Sequence, residues 1–471
     1  MLSFREFISS DAAKARLLLA VYAIFMVVLA SVSQGTYGGG DSYLHFQMAR
    51  YAPQHPWLFM DQWGKPFYTT LACLPSQLGF IGIKLFNVGC ALITAWLAFL
   101  MARNQFERLS WLSILFVLSV PIYFVTALTG LTETVFGLCI TSSVYLFHRF
   151  RERWACLVIS FLPFVRSEGF LILPLFALLC LYYRKYAALL FLGTGVALFT
   201  LIGYFYTGSW NWVFGTNVYL TKATDYGHGN WYHFIENHRY TFGWPYSLLV
   251  LVALASFAAG FVRQWNNREL HIQSVLVFGS LFIYFAAHSV FWTLGIFGSA
   301  GLDRVMAGVG PCIGYTAFCG FQLLAKQPVV KHRAVQVLLG LLVLWAFIMP
   351  RYVYPLPYPL TSFQEMQVET CRYIKENKLD TGYLYFQDPF IPLLLKRDPF
   401  SENISGNLYQ HGAKPFKPGA VIVWDSHMGP RESLLPLDVL EKNPVSLLKM
   451  YSAPDIYDAT QNMEMRIYKV N

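Results

Sequence analysis

The chain has 471 residues, of which 56% are hydrophobic and only 13% charged, with a formal net charge of +9. An average soluble protein carries about 25% charged residues, so this composition excludes an ordinary soluble enzyme. The positive balance is spread over alternate loops rather than gathered in a patch, which excludes a nucleic-acid binder.

Apolar stretches of roughly 17–25 residues are long enough to cross a ~30 Å hydrocarbon core. Eleven such segments are predicted, at about 15–33, 78–101, 110–128, 132–148, 154–166, 169–183, 186–206, 244–262, 271–292, 304–324 and 334–350. The fifth and sixth are short and also fit one broken hairpin. The first lacks a small-residue cleavage site, so it reads as an anchor and not as a removed signal peptide.

The N-terminal tail and every second loop hold Arg5, Lys14, Arg16, Arg103, Arg108, Arg149, Arg151, Arg153, Arg184, Lys185, Arg263, Arg268, Lys326, Lys331 and Arg333, against few acids. The alternate loops balance Arg50, Lys65, Lys84, Arg166, Lys222, Arg239 and Arg304 with Asp41, Asp61, Glu133, Glu168, Asp225, Glu236 and Asp303. By the positive-inside rule the first set is cytoplasmic. The N-terminus is then inside, and an odd number of spans leaves the C-terminal segment outside. The expected location is a plasma (bacterial inner) membrane.

Two outer loops are long, about 34–77 and 207–243. Long loops are usually functional when ordered, and the Trp and Tyr content here argues for order. The cytoplasmic loops are short and carry no Gly-rich phosphate cradle, so the working face is the outer one. A proline-rich linker follows Pro350, and beyond it the composition becomes that of a soluble domain. Ser362-Phe363-Gln364-Glu365 reads as a capping box for a helix running to about Asn377. Strands are predicted at Tyr383–Phe386, Ala420–Trp424 and Met463–Val470. The expected architecture is a mainly α membrane helix bundle (1–350) with a small α/β domain (351–471) on the outer face. Within that domain Asp388, Asp425 and His427 read as turn and surface residues. The eight cysteines fall mostly in apolar spans and read as small hydrophobes, with no disulfide framework.

Asp41 ends the run Gly38-Gly39-Gly40-Asp41 just after the first span, and His45 lies four residues on, on the same helical face. Two readings fit Asp41: a helix N-cap, or a general base tuned by its surroundings. The loop continues through Asp61 and the segment Trp63-Gly64-Lys65-Pro66-Phe67-Tyr68. Gly82-Ile83-Lys84-Leu85-Phe86-Asn87 then opens the second span. Glu133, Arg166, Glu168, Asp303 and Arg304 stand at outer helix ends, where a charge costs less than at mid-bilayer. Arg166 with Glu168, and Asp303 with Arg304, could simply pair with each other. Otherwise the cations would clamp a lipid phosphate, for which an Arg fork is well matched. His228, His233 and His238 recur at intervals of five, which stacks on no helix face. A divalent metal is therefore unsupported by ligand spacing.

In these segments the chain resembles the GT-C superfamily of membrane glycosyltransferases, in particular the protein O-mannosyltransferases and lipid A aminoarabinose transferases. The resemblance lies in the acid after the first span (Asp41), the Trp63–Tyr68 segment and the Gly82–Asn87 start of the next span. It extends to Gly130–Phe136 around Glu133, Phe164–Gly169 around Arg166 and Glu168, and Gly301–Arg304 followed by Pro311. Ser42 replaces the second acid of many relatives, Phe67 a second proline, and Ser167 the proline of an Arg-Pro-Glu-Gly turn. The resemblance implies transfer of a sugar from a polyprenyl-phosphate donor to a hydroxyl on a lipid, glycan or protein acceptor, with inversion. Asp41 would be the base, with Asp61 or Glu133 orienting a substrate. His45, Lys65, Tyr68, Arg166, Glu168, Lys222, His228, Asp303 and Arg304 are the expected substrate-binding residues. No organic cofactor is implied. A lipid-linked-sugar flippase and a polysaccharide polymerase or ligase are the rival readings. A flippase would place polar residues deep in several spans, and a polymerase would rely on an outer-loop Arg/His pair.

Overall fold

A computed structural model describes residues 10–216, 227–263, 267–408, 415–454 and 462–471. Each predicted apolar segment is helical. The first is α1 (Asp11–Val32), begun by the Ser10 side chain, which accepts from the Ala13 amide at 3.2 Å. A short helix, α2 (Gly39–Tyr51), and α3 (Pro66–Ser76) occupy the first outer loop. The second span is α4 (Phe80–Gln105). The segment predicted at 110–128 is two half-length helices, α5 (Leu112–Leu118) and α6 (Pro121–Ala127). Pro121 can start a helix but cannot donate inside one, so the break falls there.

After α7 (Glu133–His148), the predicted fifth and sixth spans are short helices, α8 (Glu152–Ile159) and α9 (Leu173–Tyr182), joined by two 3-10 turns around Arg166. The later spans are α10 (Tyr186–Thr207), α11 (Trp244–Arg263), α12 (Arg268–Leu294), α13 (Asp303–Ala325) and α14 (Arg333–Val353). Six helices among the described residues (α1, α4, α10, α12, α13 and α14) are long and apolar enough to cross a membrane unbroken. The other spans are shorter or broken, so the protein is a multi-span membrane protein with irregular crossings.

The axis of the bundle is α13, 89% buried over its most apolar stretch, whereas α14 is only 17% buried and faces outward with Val337, Leu338, Leu341 and Leu344 exposed. Close packing at the axis needs small residues. A Cβ at Gly320 would lie 2.0 Å from the Leu249 carbonyl oxygen of α11, so only glycine lets these backbones meet. Lys84, buried near the start of α4, donates to the Ala30 and Ser33 carbonyls at 3.4 and 3.3 Å. It thereby satisfies the C-terminal end of α1, where a cation is favoured.

The C-terminal domain opens with α15 (Ser362–Glu376). Its capping box is built on Thr361 and Gln364, one residue earlier than predicted, because the Thr361 hydroxyl already reaches the Gln364 amide. A five-stranded sheet follows in the order β2-β1-β3-β5-β4. Its strands are β1 (Leu384–Phe386), β2 (Ser405–Asn407), β3 (Val421–Asp425), β4 (Val445–Pro454) and β5 (Asn462–Val470), with α16 (Phe390–Leu395) after β1. β1 pairs in parallel with β2 and β3, while β5 runs antiparallel to β3 and β4. The sequence reading missed β2, which is three residues long, and β4, whose exposed face shows little apolar patterning. Along β3, Val421 and Val423 pack toward α15 while Ile422 and Trp424 pack into a second cluster with Leu435 and Tyr468. That is the period of two expected of a strand covered on both faces.

Asp388 and Asp425 are buried, not surface residues as expected. Each holds a turn: Asp388 accepts the Phe390 amide at 2.7 Å, and Asp425 accepts the His427 and Met428 amides at 3.0 and 2.6 Å. Burial outweighs these bonds and pushes Asp388 up to about 6 and Asp425 up to about 7. Unfolded Asp titrates near ~3.9, so the folded state holds these protons more tightly. Their stabilising contribution is full below about pH 4 and is lost as pH rises through about 6 to 7. The apparent Tm of the full chain should therefore be lower at pH 8 than at pH 5, and Asp425→Asn should flatten that difference. A Tm that climbs over this range in wild type contradicts the assignment.

Candidate functional site

The site begins with the chain reversal between α1 and α2. Gly38, with φ of +79°, is the N-cap of α2, so Asp41 lies in the first turn and is not the cap. A carboxylate is favoured there by the helix dipole. Instead of capping, Asp41 is hydrogen-bonded by Arg304 Nη2, while Arg304 Nη1 donates to the Gly38 carbonyl at 3.1 Å. One guanidinium at the start of α13 thus grips both the turn and the acid of α2. The expected pairing of Asp303 with Arg304 is replaced by this one, because neighbouring residues on a 3-10 turn point apart. Asp303 turns toward the second outer loop, where His233 Nε2 lies 3.9 Å away and bonds the Gly301 carbonyl at 2.7 Å.

Asp41 is half-buried, with 40% of its side-chain surface open. Burial alone would raise its pKa. Arg304, with Arg166, more than offsets this and holds the carboxyl below its usual range. His45, one turn along, stacks on Trp63 at 4.7 Å and meets the Tyr68 ring edge-on. Burial, assisted by the Lys65 and Arg304 charges and opposed by Asp41, pushes it down to about 3. It is therefore a neutral imidazole at physiological pH, and its buried Nδ1 has no hydrogen-bond partner.

A second ion cluster lies on the turn between α8 and α9. Arg166 Nη1 donates to Glu133 at 2.6 Å and Nη2 to Glu168 at 2.9 Å. His288 of α12 reaches Glu168 at 3.5 Å. Glu133 is 1% exposed, so this is a buried fork and not a surface pair. The sequence reading anticipated the Arg166–Glu168 contact but not the bond to Glu133, which is 33 residues away along the chain.

Lys65 precedes Pro66 with φ of +67°, a left-handed conformation that costs a non-glycine residue ~1–3 kcal/mol. The surrounding bonds hold it there. The Gly64 amide donates to Asp61 Oδ1 at 2.7 Å, and Thr69 bonds both Gly64 and Lys65 carbonyls at 2.9 Å. Asp61 thus shapes the turn that carries Lys65. Lys65 Nζ comes within 3.5 Å of Ser167 Oγ, and burial lowers this amine to about 8, against the pull of Glu168.

Two residues outside the expected set, Ser42 and Asn87, and Tyr68 within it hold this site together. Ser42 Oγ accepts the Gly130 amide at 2.8 Å, and Asn87 Nδ2 donates to the Thr129 and Leu131 carbonyls at 2.8 Å each. Tyr68, expected to bind substrate, is fully buried and donates to the Gly130 carbonyl at 2.6 Å. Together they fix the 129–132 hairpin and so the start of α7 at Glu133. The position of Ser42 and Asn87 within the recognised segments was the available signal. His228 is exposed in the second outer loop beside Gly229, whose amide donates to the Trp292 carbonyl at 3.2 Å. Lys222 and Asp225 lie outside the described residues. Among the described residues no three His, Cys, Asp or Glu side chains converge as metal ligands.

Removing one partner from a buried ion pair leaves an uncompensated charge and costs ~3–5 kcal/mol. Arg166→Ala should accordingly lower the yield and apparent Tm of detergent-purified protein sharply, with Glu133→Gln restoring part of both. An Arg166→Ala protein as thermostable as wild type would show the fork to be an interfacial anchor only.

Neither a protein-family profile nor a curated protein matches this sequence. Solved structures do. The crystal structure of ArnT from Cupriavidus metallidurans bound to undecaprenyl phosphate superposes with a TM-score of 0.63 at 10% identity, covering 96% of this chain and 97% of that one. ArnT from the same organism in the apo state gives 0.63 and 10% over 98% of both chains. The chain shares the fold of these two structures over nearly its whole length.

Proposed function

We propose that this protein is a GT-C-type glycosyltransferase, moving a sugar from a polyprenyl-phosphate donor to an acceptor hydroxyl on the extracytoplasmic face. The observation that carries this reading is the Asp41–Arg304 pair. It stands at the outer end of the most buried helix, in a fold shared almost end to end with a protein crystallised on undecaprenyl phosphate. A membrane-soluble donor also accounts for cytoplasmic loops too short to hold a nucleotide sugar.

In this reading Asp41 accepts the proton of the acceptor hydroxyl as its oxygen attacks the anomeric carbon. The bond to the lipid phosphate breaks on the opposite side, giving inversion. Arg304 keeps Asp41 ionised and aimed while lowering its basicity, so the proton transfer relies on close placement of the acceptor hydroxyl. The departing polyprenyl phosphate needs positive charge rather than an acid. Lys65, on its strained turn beside Ser167, and Arg304 supply it, while Arg166 orders the neighbouring wall through Glu133 and Glu168. Neutral His45 offers a hydrogen-bonding nitrogen without adding charge.

Asp41→Asn preserves shape but leaves Arg304 without its counter-ion, so turnover is compared in purified variant protein whose apparent Tm is recorded beside that of wild type. Turnover of a radiolabelled polyprenyl-phosphate sugar should fall ~100-fold or more, with donor binding little changed. Near-normal turnover in the purified variant would move the base elsewhere. Orientation is tested separately, by fusing alkaline phosphatase after Asn471. The fusion should be active and a cytoplasm-only fluorescent fusion dark; the reverse pattern inverts the topology.

A further inference from the structure

α7 begins at Glu133, beside Arg166, and ends at His148. At about 1.5 Å per residue its far end lies ~24 Å from the Arg166 cluster. A second polar assembly stands there and takes no part in the chemistry around Asp41. Three segments meet in it: the turn from α7 to α8, the turn from α9 to α10, and the start of α12. Glu152 is buried between them, 3.1 Å from Arg268 Nη2 and 3.6 Å from Lys185 Nζ. Arg268 also donates to the Phe147 carbonyl at 2.8 Å and lies over the Phe147, Phe150 and Tyr183 rings at 5.0, 4.4 and 4.7 Å. Cys156 Sγ of α8 and Cys180 Sγ of α9 approach to 3.5 Å, so the two turns are close neighbours.

Both turns close in the same way. Phe150 and Arg184, with φ of +57° and +56°, take the left-handed position that glycine usually fills. The next amide then reaches back five residues, Arg151 to the Leu146 carbonyl at 2.9 Å and Lys185 to the Cys180 carbonyl at 2.7 Å. A non-glycine residue stays in that conformation only where its surroundings hold it, so the turns are fixed in shape.

The assembly uses up its two acids and leaves cations over. Glu152 is engaged as above, and Glu269 Oε2 lies 2.7 Å from His148 Nδ1 and accepts from Gln105 Nε2 at 2.9 Å. Arg149, Arg151, Arg153 and Arg184 are exposed, and among the described residues none of them meets a carboxylate. Phe150, Trp154 and Tyr186 are exposed beside them, as are Leu178, Leu181 and Leu190 on the flanking helices. Aromatic rings favour the border of the hydrocarbon, and a guanidinium favours a phosphate oxygen. A headgroup carrying its own ammonium would bring a cation to a surface with no spare acid.

We propose that the paired turns at 149–154 and 183–186 form a binding site for an anionic phospholipid, its phosphodiester held by the arginines and its acyl chains lying along α9 and α10. The excess of Arg and Lys at this end of the bundle assigns the lipid to the cytoplasmic leaflet. The site does not depend on the glycosyl-transfer reading.

The test titrates detergent-purified full-length protein with dioleoyl phosphatidylglycerol or dioleoyl phosphatidylcholine and follows the first bound lipid by native mass spectrometry. Phosphatidylglycerol should bind at least ~10-fold more tightly than phosphatidylcholine. The combined variant Arg151→Gln, Arg153→Gln, Arg184→Gln should weaken phosphatidylglycerol binding ~100-fold, about fivefold per cation. The combined variant Arg103→Gln, Arg108→Gln, Arg333→Gln removes the same charge from other turns and should leave binding unchanged. Equal weakening in the two variants means diffuse surface charge only, and no weakening in the first means that its arginines hold nothing; either result overturns the site. Equal affinity of wild type for the two lipids overturns it without recourse to any variant. Glycerophosphoglycerol, the same headgroup without acyl chains, should bind far more weakly. If it binds as tightly as the lipid, the surface takes a soluble phosphodiester and the phospholipid assignment falls.

Discussion

The ion pair between Asp41 and Arg304 is the contact on which this end of the helix bundle is organised. It joins residues 263 positions apart, one on a short interfacial helix and one at the head of the most buried span. Two half-buried charges attract more strongly than in water but also lose hydration. The pair is tolerable because Arg304 makes a further bond to the Gly38 carbonyl and because Asp41 sits at a helix N-terminus. The glycine run follows from the same contact. Gly38 must adopt a left-handed turn, and a side chain there would strike Leu131 and approach Arg304.

Around that pair the polar groups form a layered scaffold. Ser42, Tyr68 and Asn87 tie the first loop and second span to the 129–132 hairpin. The hairpin places Glu133, Glu133 holds Arg166, and Arg166 holds Glu168, which His288 of α12 also touches. The bonds from Ser42 to Arg166 satisfy buried donors and acceptors that would otherwise cost free energy. These charges cluster at one end of the bundle, which suits an interfacial active site better than a path through the membrane.

The C-terminal domain is bound into this arrangement and is not a loose appendage. Gln47 Nε2 donates to the Pro389 carbonyl at 2.8 Å, and Phe390 stacks on Tyr43 at 4.5 Å. His55 pairs with Asp398 at 2.7 Å, and Tyr51 donates to the Arg397 carbonyl at 3.3 Å. The first outer loop is thus held from below by membrane helices and from above by the sheet. That gives α2 a defined position although it is short and itself only weakly amphipathic.

Composition and hydropathy determined the membrane class and the segments that become helices, because burying about twenty apolar residues per crossing dominates local preference. Short recognised segments marked Asp41, Lys65, Glu133, Arg166 and Arg304 as polar groups too costly to leave near a bilayer without purpose. Pairing lay beyond the sequence. Asp41 read as a cap or a base and is Arg304's partner, Arg304 read as Asp303's partner or a phosphate clamp and bonds Asp41 instead, and Asp388 and Asp425 looked like surface turns but are buried. Tyr68 and Asn87 lay in recognised segments, but nothing there pointed to the hairpin they hold. Local rules follow neighbours in sequence, whereas a charge or amide in low dielectric is decided by whatever lies within ~4 Å in space, and only the tertiary structure sets that.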